Sequence, residues 1–112
     1  MDDFSEPNVP RVTVEDVKKS IDTKEHCIVL DVRTSGEYAR GRIEGSINVS
    51  VDTIESDIEK KVPDKGQRVY VYCLSGSRSV YAVDAMLKLG YTNVFDMEHG
   101  LLAWRAKYFP VI

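Results

Sequence analysis

The strongest constraint on the fold is a short apolar segment, residues 68–72 (Arg-Val-Tyr-Val-Tyr), which leads directly into Cys73. A continuous run of β-branched and aromatic residues favours a strand that is buried on both faces, as in a parallel sheet. Residues 27–30 (Cys-Ile-Val-Leu) form a second run of this kind. Because both faces of such a sheet must be covered, the rest of the chain is expected to supply helices.

The segments around these runs carry helix signals. Thr13 with Asp16, and Thr34 with Glu37, have the spacing of capping boxes, in which groups at a helix start bond each other reciprocally. The predicted helices are one opened by Thr13, one between Thr34 and Gly41, residues 50–61, residues 79–89 before Gly90, and residues 101–108. The further predicted strands are a short edge-like strand, which follows a turn bracketed by glycines within residues 41–49, and a strand over residues 91–97. Strands that alternate with helices predict an α/β domain with a mainly parallel sheet.

Composition excludes several classes of function. The chain has 112 residues, enough for one domain, and 15 Lys and Arg against 18 Asp and Glu give a net charge of −3. No overall basic field attracts nucleic acid or an anionic membrane. The longest apolar run, residues 69–74, is far short of the roughly 20 residues that span a bilayer, and the acidic start lacks a secretory signal. We expect a cytoplasmic protein with a flexible N-terminal arm over residues 1–11 and a domain over residues 12–112.

The chain has two cysteines, Cys27 and Cys73. Since the apolar content suffices for a core without a disulfide, both are expected to be free thiols in a reducing cytosol. Cys27 precedes an apolar run and is interpreted as structural. Cys73 differs because a glycine, two serines and an arginine follow it and lead into a helix. The serines, Ser75 and Ser77, either donate hydroxyls to a bound anion or are small turn residues.

The segment after Cys73 has the layout of an anion-binding loop. In an open α/β sheet, ligands bind at the carboxyl ends of strands, where the following helix offers free N–H groups. Residues 74–77 (Leu-Ser-Gly-Ser) form a short connection, and Gly76 permits a backbone angle that a Cβ would forbid. Such a curl turns successive amides inward around the thiol. These amides, the helix N-terminus and the charge of Arg78 all favour the thiolate, so Cys73 is the candidate nucleophile.

Structural interpretations compete with functional ones. A cysteine at a strand end is more often an inert apolar residue than a nucleophile, and the surrounding sequence is what argues otherwise for Cys73. Asp31 and Arg33 follow the run at residues 27–30 and are supporting candidates at the same sheet edge. We favour a structural role for both. In that role Asp31 is a cap or a turn acceptor and Arg33 is the ion-pair partner of Glu37.

The chain resembles the rhodanese, or sulfurtransferase, domain from about residue 12 to residue 104. The Cys73 loop is combined with upstream motifs in the order and spacing of that family. The residues that carry the resemblance are Asp31-Val32-Arg33, Glu37-Tyr38, Gly41 to Asn48, Tyr72 to Ser79, Gly100 and Trp104.

This resemblance implies a three-layer domain with a central, mainly parallel five-stranded sheet and helices on both faces. It also implies that Cys73 takes the outer sulfur of a donor such as thiosulfate, holds it as a persulfide and passes it to cyanide or a thiol. A thiol or a sulfur-carrier protein is a candidate acceptor. No metal or cofactor is expected, nor is nucleic acid or a membrane as a partner. The implied substrate-binding residues are Leu74, Ser75, Gly76, Ser77, Arg78 and Ser79.

The chain departs from the family in two places. Gly41-Arg42-Ile43 replaces the common Gly-His-Ile, in a turn where we expect little effect on the site. His99-Gly100 replaces the two glycines that usually precede the Trp-containing helix, so a tight turn must accommodate a side chain. We expect His99 to face solvent, the alternative being that it places a titratable group near the pocket, and we expect Trp104 to lie in the core. His26 and His99 are both distant from the cysteine in sequence, so the spacing does not support a Cys–His pair.

Two alternatives compete with sulfur transfer. Cysteine phosphatases and arsenate reductases also hold a thiolate in a ring of amides, but their loops resemble Cys, five residues, Arg. Here four residues separate Cys73 from Arg78, which suits one sulfur atom better than a tetrahedral oxyanion, and the loop has no Asp as a general acid. The second alternative is a non-catalytic interaction module on the same fold. Such modules commonly lack the cysteine.

Overall fold

The computed structural model of the chain describes residues 6–112. Helices alternate with strands along most of this length. In chain order the elements are β1 (Arg11–Val12), α1 (Val14–Asp22), β2 (Ile28–Asp31), α2 (Ser35–Arg40), β3 (Ile47–Asn48), a 3₁₀ turn (Val51–Thr53), α3 (Ile54–Lys61), β4 (Val69–Tyr72), α4 (Ser79–Lys88), β5 (Val94–Met97) and α5 (Gly100–Ala106). None of the described helices is long and apolar enough to cross a membrane.

The sheet determines where the candidate site lies. Its five strands have the order β1-β5-β4-β2-β3, and every neighbouring pair is parallel. β4 lies at the centre, between β5 and β2, and β3 is an edge strand, as predicted. The prediction of a mainly parallel five-stranded sheet is confirmed. In such a sheet all the strands end at the same edge.

Helices cover both faces of the sheet, which confirms the predicted three-layer arrangement. β4 is buried along its whole length, and this burial explains its continuous apolar sequence. Val69 and Val71 pack in one core cluster with residues of α3 and α4. Tyr70 and Tyr72 belong to the other cluster, with residues of α1 and α5. Trp104 is in this second cluster and is 1% exposed, so its assignment to the core is confirmed.

Local sequence signals determine two of the helix starts. Thr13 and Thr34 each accept a backbone N–H of the first helical turn, and Asp16 and Glu37 each accept the N–H of the threonine. Both predicted capping boxes are therefore confirmed. Gly90 follows α4 with φ of +99°, the left-handed conformation expected of a glycine directly after a helix.

Two predicted elements begin later than expected. The helix predicted over residues 50–61 starts as a single 3₁₀ turn and becomes α-helical at Ile54. The strand predicted from Tyr91 starts at Val94. Tyr91 is held by a different contact, because its hydroxyl donates to the Val62 carbonyl at 2.5 Å.

The predicted N-terminal arm lies only partly within the described residues. Residues 1–5 of the arm, which was predicted over residues 1–11, fall outside them. Nearer the domain, Val9 is buried in the core, and Arg11 begins β1 in register with Asp96 of β5. A two-residue strand is too short to show the alternation by which strands are predicted, so the sequence did not indicate β1.

Candidate active site

The candidate site lies at the edge of the sheet where β2, β4 and β5 end side by side. Cys73 follows β4 directly, and α4 begins at Ser79. Residues 74–78 between them are called the Cys73 loop. Strand, loop and helix follow one another in the predicted order, at the edge where ligands bind in open α/β sheets.

The Cys73 sulfur lies inside the curl of this loop. The Gly76 N–H donates to Cys73 Sγ at 3.1 Å, and Ser79 Oγ lies 3.5 Å from the same sulfur. Gly76 has φ of +103°, so the curl predicted there is present, in a conformation that residues with a Cβ rarely adopt. Cys73 is fully buried in this conformation of the loop.

The other residues predicted to bind substrate have different surroundings. Ser75 and Ser77 are solvent-exposed. Leu74 packs against the apolar cluster that includes residues of α1 and α5. The Cys73 loop therefore presents hydroxyl-bearing residues to solvent and an amide to the sulfur.

Arg78 attaches the end of the Cys73 loop to α2. Its guanidinium donates to both carboxylate oxygens of Glu37, at 2.8 and 3.1 Å. This bond from Arg78 lowers the pKa of Glu37 to about 2, so the carboxylate is ionised at neutral pH. The sequence indicated Arg78 as a charge near the thiol. In the structure Glu37 offsets that charge, and the contacts support a role in holding the loop.

Asp31 and Arg33 form a separate, buried ion pair. Arg33 Nη2 donates to Asp31 Oδ2 at 2.7 Å, and Arg33 Nε donates to both carboxylate oxygens at 3.1 Å. Asp31 also accepts the Arg33 N–H, which confirms it as a turn acceptor. The predicted ion pair between Arg33 and Glu37 is wrong, because Arg33 pairs with the nearer Asp31 and Glu37 pairs with Arg78.

The first turn of α5 supports the Cys73 loop from the side. The N–H groups of Leu101 and Leu102 donate to the carbonyls of Cys73 and Leu74, at 2.9 and 3.0 Å. Gly100 lies against these carbonyls. A Cβ at Gly100 would overlap the Cys73 carbonyl oxygen and lie 2.6 Å from that of Leu74, so no side chain fits there.

His99 occupies the position before Gly100 where the resembled family usually has a glycine. Its φ is +63°, in the left-handed region that favours glycine. The side chain is accommodated because the residue is exposed, as predicted. The backbone nitrogen of His99 would lie 3.3 Å from a Cβ at Gly76, so the turn and the loop are in close contact.

Comparison with known proteins decides the family. The sequence model of the rhodanese-like domain matches residues 13–107. The chain belongs to this family. It is 27% identical over 104 residues to a sulfurtransferase of Allochromatium vinosum, which covers 93% of this chain and 95% of that protein. It is 37% identical over 65 residues to the thiosulfate sulfurtransferase PspE of Escherichia coli, which covers 58% of this chain and 62% of that protein. The chain spans about half to two thirds of the length of other curated relatives that it matches.

A solved structure supports the same fold. The crystal structure of a rhodanese-related protein from Thermoplasma volcanium has a TM-score of 0.80 and 29% identity, covering 92% of this chain and 97% of that one. The family and the names of the relatives support sulfur transfer in general as the chemistry of this rhodanese-like domain.

The rhodanese-like domain also has a buried acid beside the site, which no sequence motif indicated. Asp96 of β5 is 1% exposed, and its Oδ1 accepts the Ser79 hydroxyl at 2.5 Å. Burial raises the pKa of Asp96. The available signal was a charged residue inside the otherwise apolar strand 94–97. Asp96 also lines a cleft of about 250 Å³, together with Ser75 and Ser77.

The second cysteine of the rhodanese-like domain lies elsewhere. Cys27 is a free, partly buried thiol beside the cluster of α1 and α5, and burial raises its pKa. This environment fits the structural role predicted for it. Cys73 is likewise a free thiol, as predicted. Within residues 6–112, no three His, Cys, Asp or Glu side chains are grouped so that they could hold a metal ion.

Proposed function

We propose that this protein is a sulfurtransferase in which Cys73 carries a sulfur atom from thiosulfate, or a related small sulfur-containing anion, to a thiophilic acceptor. The observation that carries the proposal is the Gly76 N–H that donates to Cys73 Sγ at 3.1 Å. A backbone N–H directed at the sulfur stabilises negative charge on it, as a nucleophile and as a persulfide. The family and the sulfurtransferase relatives support the same chemistry.

The reaction is a double displacement. The Cys73 thiolate attacks the outer sulfur of thiosulfate, the S–S bond of thiosulfate breaks, and sulfite leaves with the electron pair. An acceptor such as cyanide then attacks the terminal sulfur of the Cys73 persulfide. That S–S bond breaks, thiocyanate leaves, and the Cys73 thiolate is restored. A thiol acceptor becomes a persulfide in the same way.

The residues of the Cys73 loop have different roles in this proposal. The amides of residues 74–79, with that of Gly76 foremost, hold the terminal sulfur of the persulfide. Ser75 and Ser77 meet the incoming anion, since they are exposed at the cleft. Arg78 keeps the loop closed through its bond to α2. Because Cys73 is buried, the loop must open for the donor to enter.

The spacing of the loop favours sulfur over phosphate. Four residues between Cys73 and Arg78 enclose a smaller space than the five of a phosphatase or arsenate reductase loop. Asp31 and Arg33 stabilise the neighbouring loop after β2 and do not act on the sulfur. We propose a thiol or a sulfur-carrier protein as the acceptor in a reducing compartment such as the cytoplasm, which suits two free thiols.

Intact-mass spectrometry after incubation with thiosulfate tests the proposal. The wild-type protein is expected to gain one sulfur atom, and cyanide is expected to remove it as thiocyanate. Cys73→Ser should abolish the gain, because no other group in the loop forms a persulfide. Cys27→Ser is the matched control and should keep it.

Two results would contradict the proposal. Absence of the sulfur gain together with hydrolysis of a phosphoaryl ester would assign the site to a phosphatase. Absence of both activities would favour the non-catalytic interaction module.

A further inference from the structure

Two buried carboxylates lie near the Cys73 loop, and they differ in their partners. Asp31 is paired with Arg33, whereas no ion pair within residues 6–112 includes Asp96. Asp96 is 1% exposed, and the Ser79 hydroxyl donates to it. Arg11 of β1 lies in register with Asp96 and lines the same cleft, but it forms no ion pair with this carboxylate. A buried carboxylate without an ion-pair partner is costly in free energy. Asp96 is therefore a candidate for a chemical role.

The hydroxyl that bonds Asp96 also reaches the reacting sulfur. Ser79 Oγ lies 2.5 Å from Asp96 Oδ1 and 3.5 Å from Cys73 Sγ, and Ser79 is fully buried. Sulfur, hydroxyl and carboxylate thus form one continuous chain of hydrogen-bonding groups. At its far end Asp96 borders the cleft of about 250 Å³, through which a proton can exchange with solvent.

We propose that Ser79 and Asp96 relay the proton of the Cys73 thiol. Ser79 is the catalytic residue in contact with the sulfur, and Asp96 is the positioning residue that acts through Ser79. The inference rests on the proposed function of Cys73 as the sulfur carrier. It adds a route by which a thiol enclosed by its loop becomes the thiolate that attacks the donor.

The proton transfer balances within the relay. The S–H bond of Cys73 breaks as its proton joins Ser79 Oγ, while the original Ser79 proton moves to Asp96 Oδ1. The products are a thiolate, an intact serine hydroxyl and a neutral carboxyl group. After the acceptor has removed the sulfur, the proton returns by the same path or leaves through the cleft.

The electrostatic surroundings of Asp96 suit a proton acceptor. Burial raises the pKa of Asp96, which favours its protonated form. The hydrogen bond from Ser79 and the charge of Arg11 favour the ionised form, whereas Glu98, directly after β5, and Glu6 oppose it. His99 faces the same cleft from the turn before α5. Because these groups also carry or change charge, the test substitutes Asp96 while leaving all of them in place.

Asp96→Asn is the decisive variant, because an amide oxygen still accepts the Ser79 hydroxyl but does not take up its proton. In a Cys27→Ser background, the rate of Cys73 alkylation by iodoacetamide is measured across the neutral and alkaline range. Single-turnover persulfide formation with thiosulfate is measured over the same range. Both rates are expected to fall at neutral pH, on the order of 10²-fold. The difference should close at alkaline pH, where hydroxide removes the thiol proton directly, and half-saturation by thiosulfate should not change.

Three further variants separate the relay from a structural role. Ser79→Ala should reproduce the slow profile, and Ser79→Thr, which keeps a hydroxyl, should restore the rate. Asp84→Asn is the control, because it removes a carboxylate on α4 that does not contact Ser79, and it should leave the pH profile of both rates unchanged. Coincident profiles for wild-type and folded Asp96→Asn protein would overturn the relay. If Asp96→Asn does not fold, equal rates for Ser79→Ala and Ser79→Thr would overturn it instead.

The two measurements distinguish the relay from the proposed function. If wild-type protein takes no sulfur from thiosulfate, the proposed function fails, and the alkylation profile still decides the relay. If wild-type and Asp96→Asn proteins take up sulfur at the same rate at every pH, the relay fails and the sulfurtransferase stands.

Discussion

The loops that follow β2 and β4 leave the same edge of the sheet, but they treat charge differently. After β2, Asp31 and Arg33 neutralise each other in the interior, and Arg33 also donates to the Gly41 carbonyl at 2.5 Å. After β4, the Cys73 sulfur accepts one N–H, from Gly76, and lies beside a hydroxyl that bonds a buried carboxylate. In the loop after β2 the charged groups stabilise the loop itself. In the loop after β4 the candidate nucleophile has few hydrogen-bond partners.

This contrast shows that a place at the ligand-binding edge does not by itself make a residue functional. Arg33 lies at that edge, but its donors already have acceptors and it is 5% exposed. Cys73 and Asp96 are buried at least as deeply as Arg33, yet the side chain of each makes fewer hydrogen bonds. A buried polar group that has few hydrogen-bond or ion-pair partners is a better candidate for reactivity than one that merely lies at this edge of the sheet.

The largest effect is expected from Arg33→Met, which leaves Asp31 buried without its partner. Breaking a buried ion pair from one side costs about 3–5 kcal/mol, so urea denaturation should show a free energy of unfolding lower by that amount. Sulfur uptake per folded molecule should not change, because Arg33 bonds Asp31 and Gly41 rather than the Cys73 loop. Arg40→Met, at an exposed position of α2, is the matched control. Slower sulfur uptake by the folded fraction of Arg33→Met would contradict the distinction between a structural loop after β2 and a reactive loop after β4.

A smaller loss of stability but a larger loss of function is expected from Gly100→Ala. The new Cβ would meet the carbonyls of Cys73 and Leu74, and φ of +57° is unfavourable for alanine. Strain and displacement together should lower the free energy of unfolding by about 2–3 kcal/mol. Sulfur uptake should fall as well, because the Cys73 loop must shift.

Gly45→Ala is the control for Gly100→Ala. Gly45 has φ of +85°, and nothing lies within 4 Å of a Cβ placed there. The Gly45→Ala protein should therefore lose only the part of the free energy of unfolding that comes from backbone conformation, about 1 kcal/mol, and should keep its sulfur uptake. Equal losses in the two variants would show that contact with the Cys73 loop is unimportant.

The sequence predicted the centre of the site because the signals there are local. The apolar run at residues 68–72 indicates a buried strand, and Gly76 indicates the curl. The capping boxes at Thr13 and Thr34 likewise depend on residues three positions apart. In each of these cases the partner of a group lies a few residues away, so composition and spacing are sufficient.

Contacts between distant segments could not be predicted in this way. Glu37 and Arg78 are 41 residues apart, and Ser79 and Asp96 are 17 apart, and the parallel crossovers bring each pair together. Without the fold, sequence separation was the available guide to distance, and it assigned Glu37 to Arg33. The same limit explains why Asp96 was not indicated as a neighbour of the thiol.

Glu37→Gln is expected to have a modest effect with a clear pH signature. Arg78 lowers the pKa of Glu37 from its ordinary 4.5 to about 2, so folding favours the ionised form. The stabilisation is complete above about pH 4.5 and is lost as the pH falls through about 2. Since the side chains of Glu37 and Arg78 are 25% and 34% exposed, it should amount to about 1 kcal/mol.

Urea denaturation over this pH range checks the prediction for Glu37. The Glu37→Gln protein should be less stable than wild type at neutral pH, and the two should converge in acid. Glu44→Gln, in an exposed turn, controls for the change in net charge. Parallel curves for Glu37→Gln and wild type throughout the acid range would mean that Arg78 holds the loop without an ionised partner.

The smallest effect is expected from His99→Gly. A left-handed backbone costs a residue with a Cβ about 1–2 kcal/mol, and substitution by glycine removes this cost. The greater freedom of glycine in the unfolded chain offsets about 0.5–1 kcal/mol of the resulting gain in stability. The free energy of unfolding in urea should therefore rise by about 0.5 kcal/mol. Lys24→Gly, at another exposed position with φ of +58°, is the matched control and should gain a similar amount. His99 lies at the rim of the cleft and not on the sulfur, so sulfur uptake should be preserved in both variants. Slower sulfur uptake in His99→Gly alone would show that the imidazole of His99, like Asp96, acts on the Cys73 loop. The contrast with the Asp31–Arg33 ion pair after β2 would then be greater.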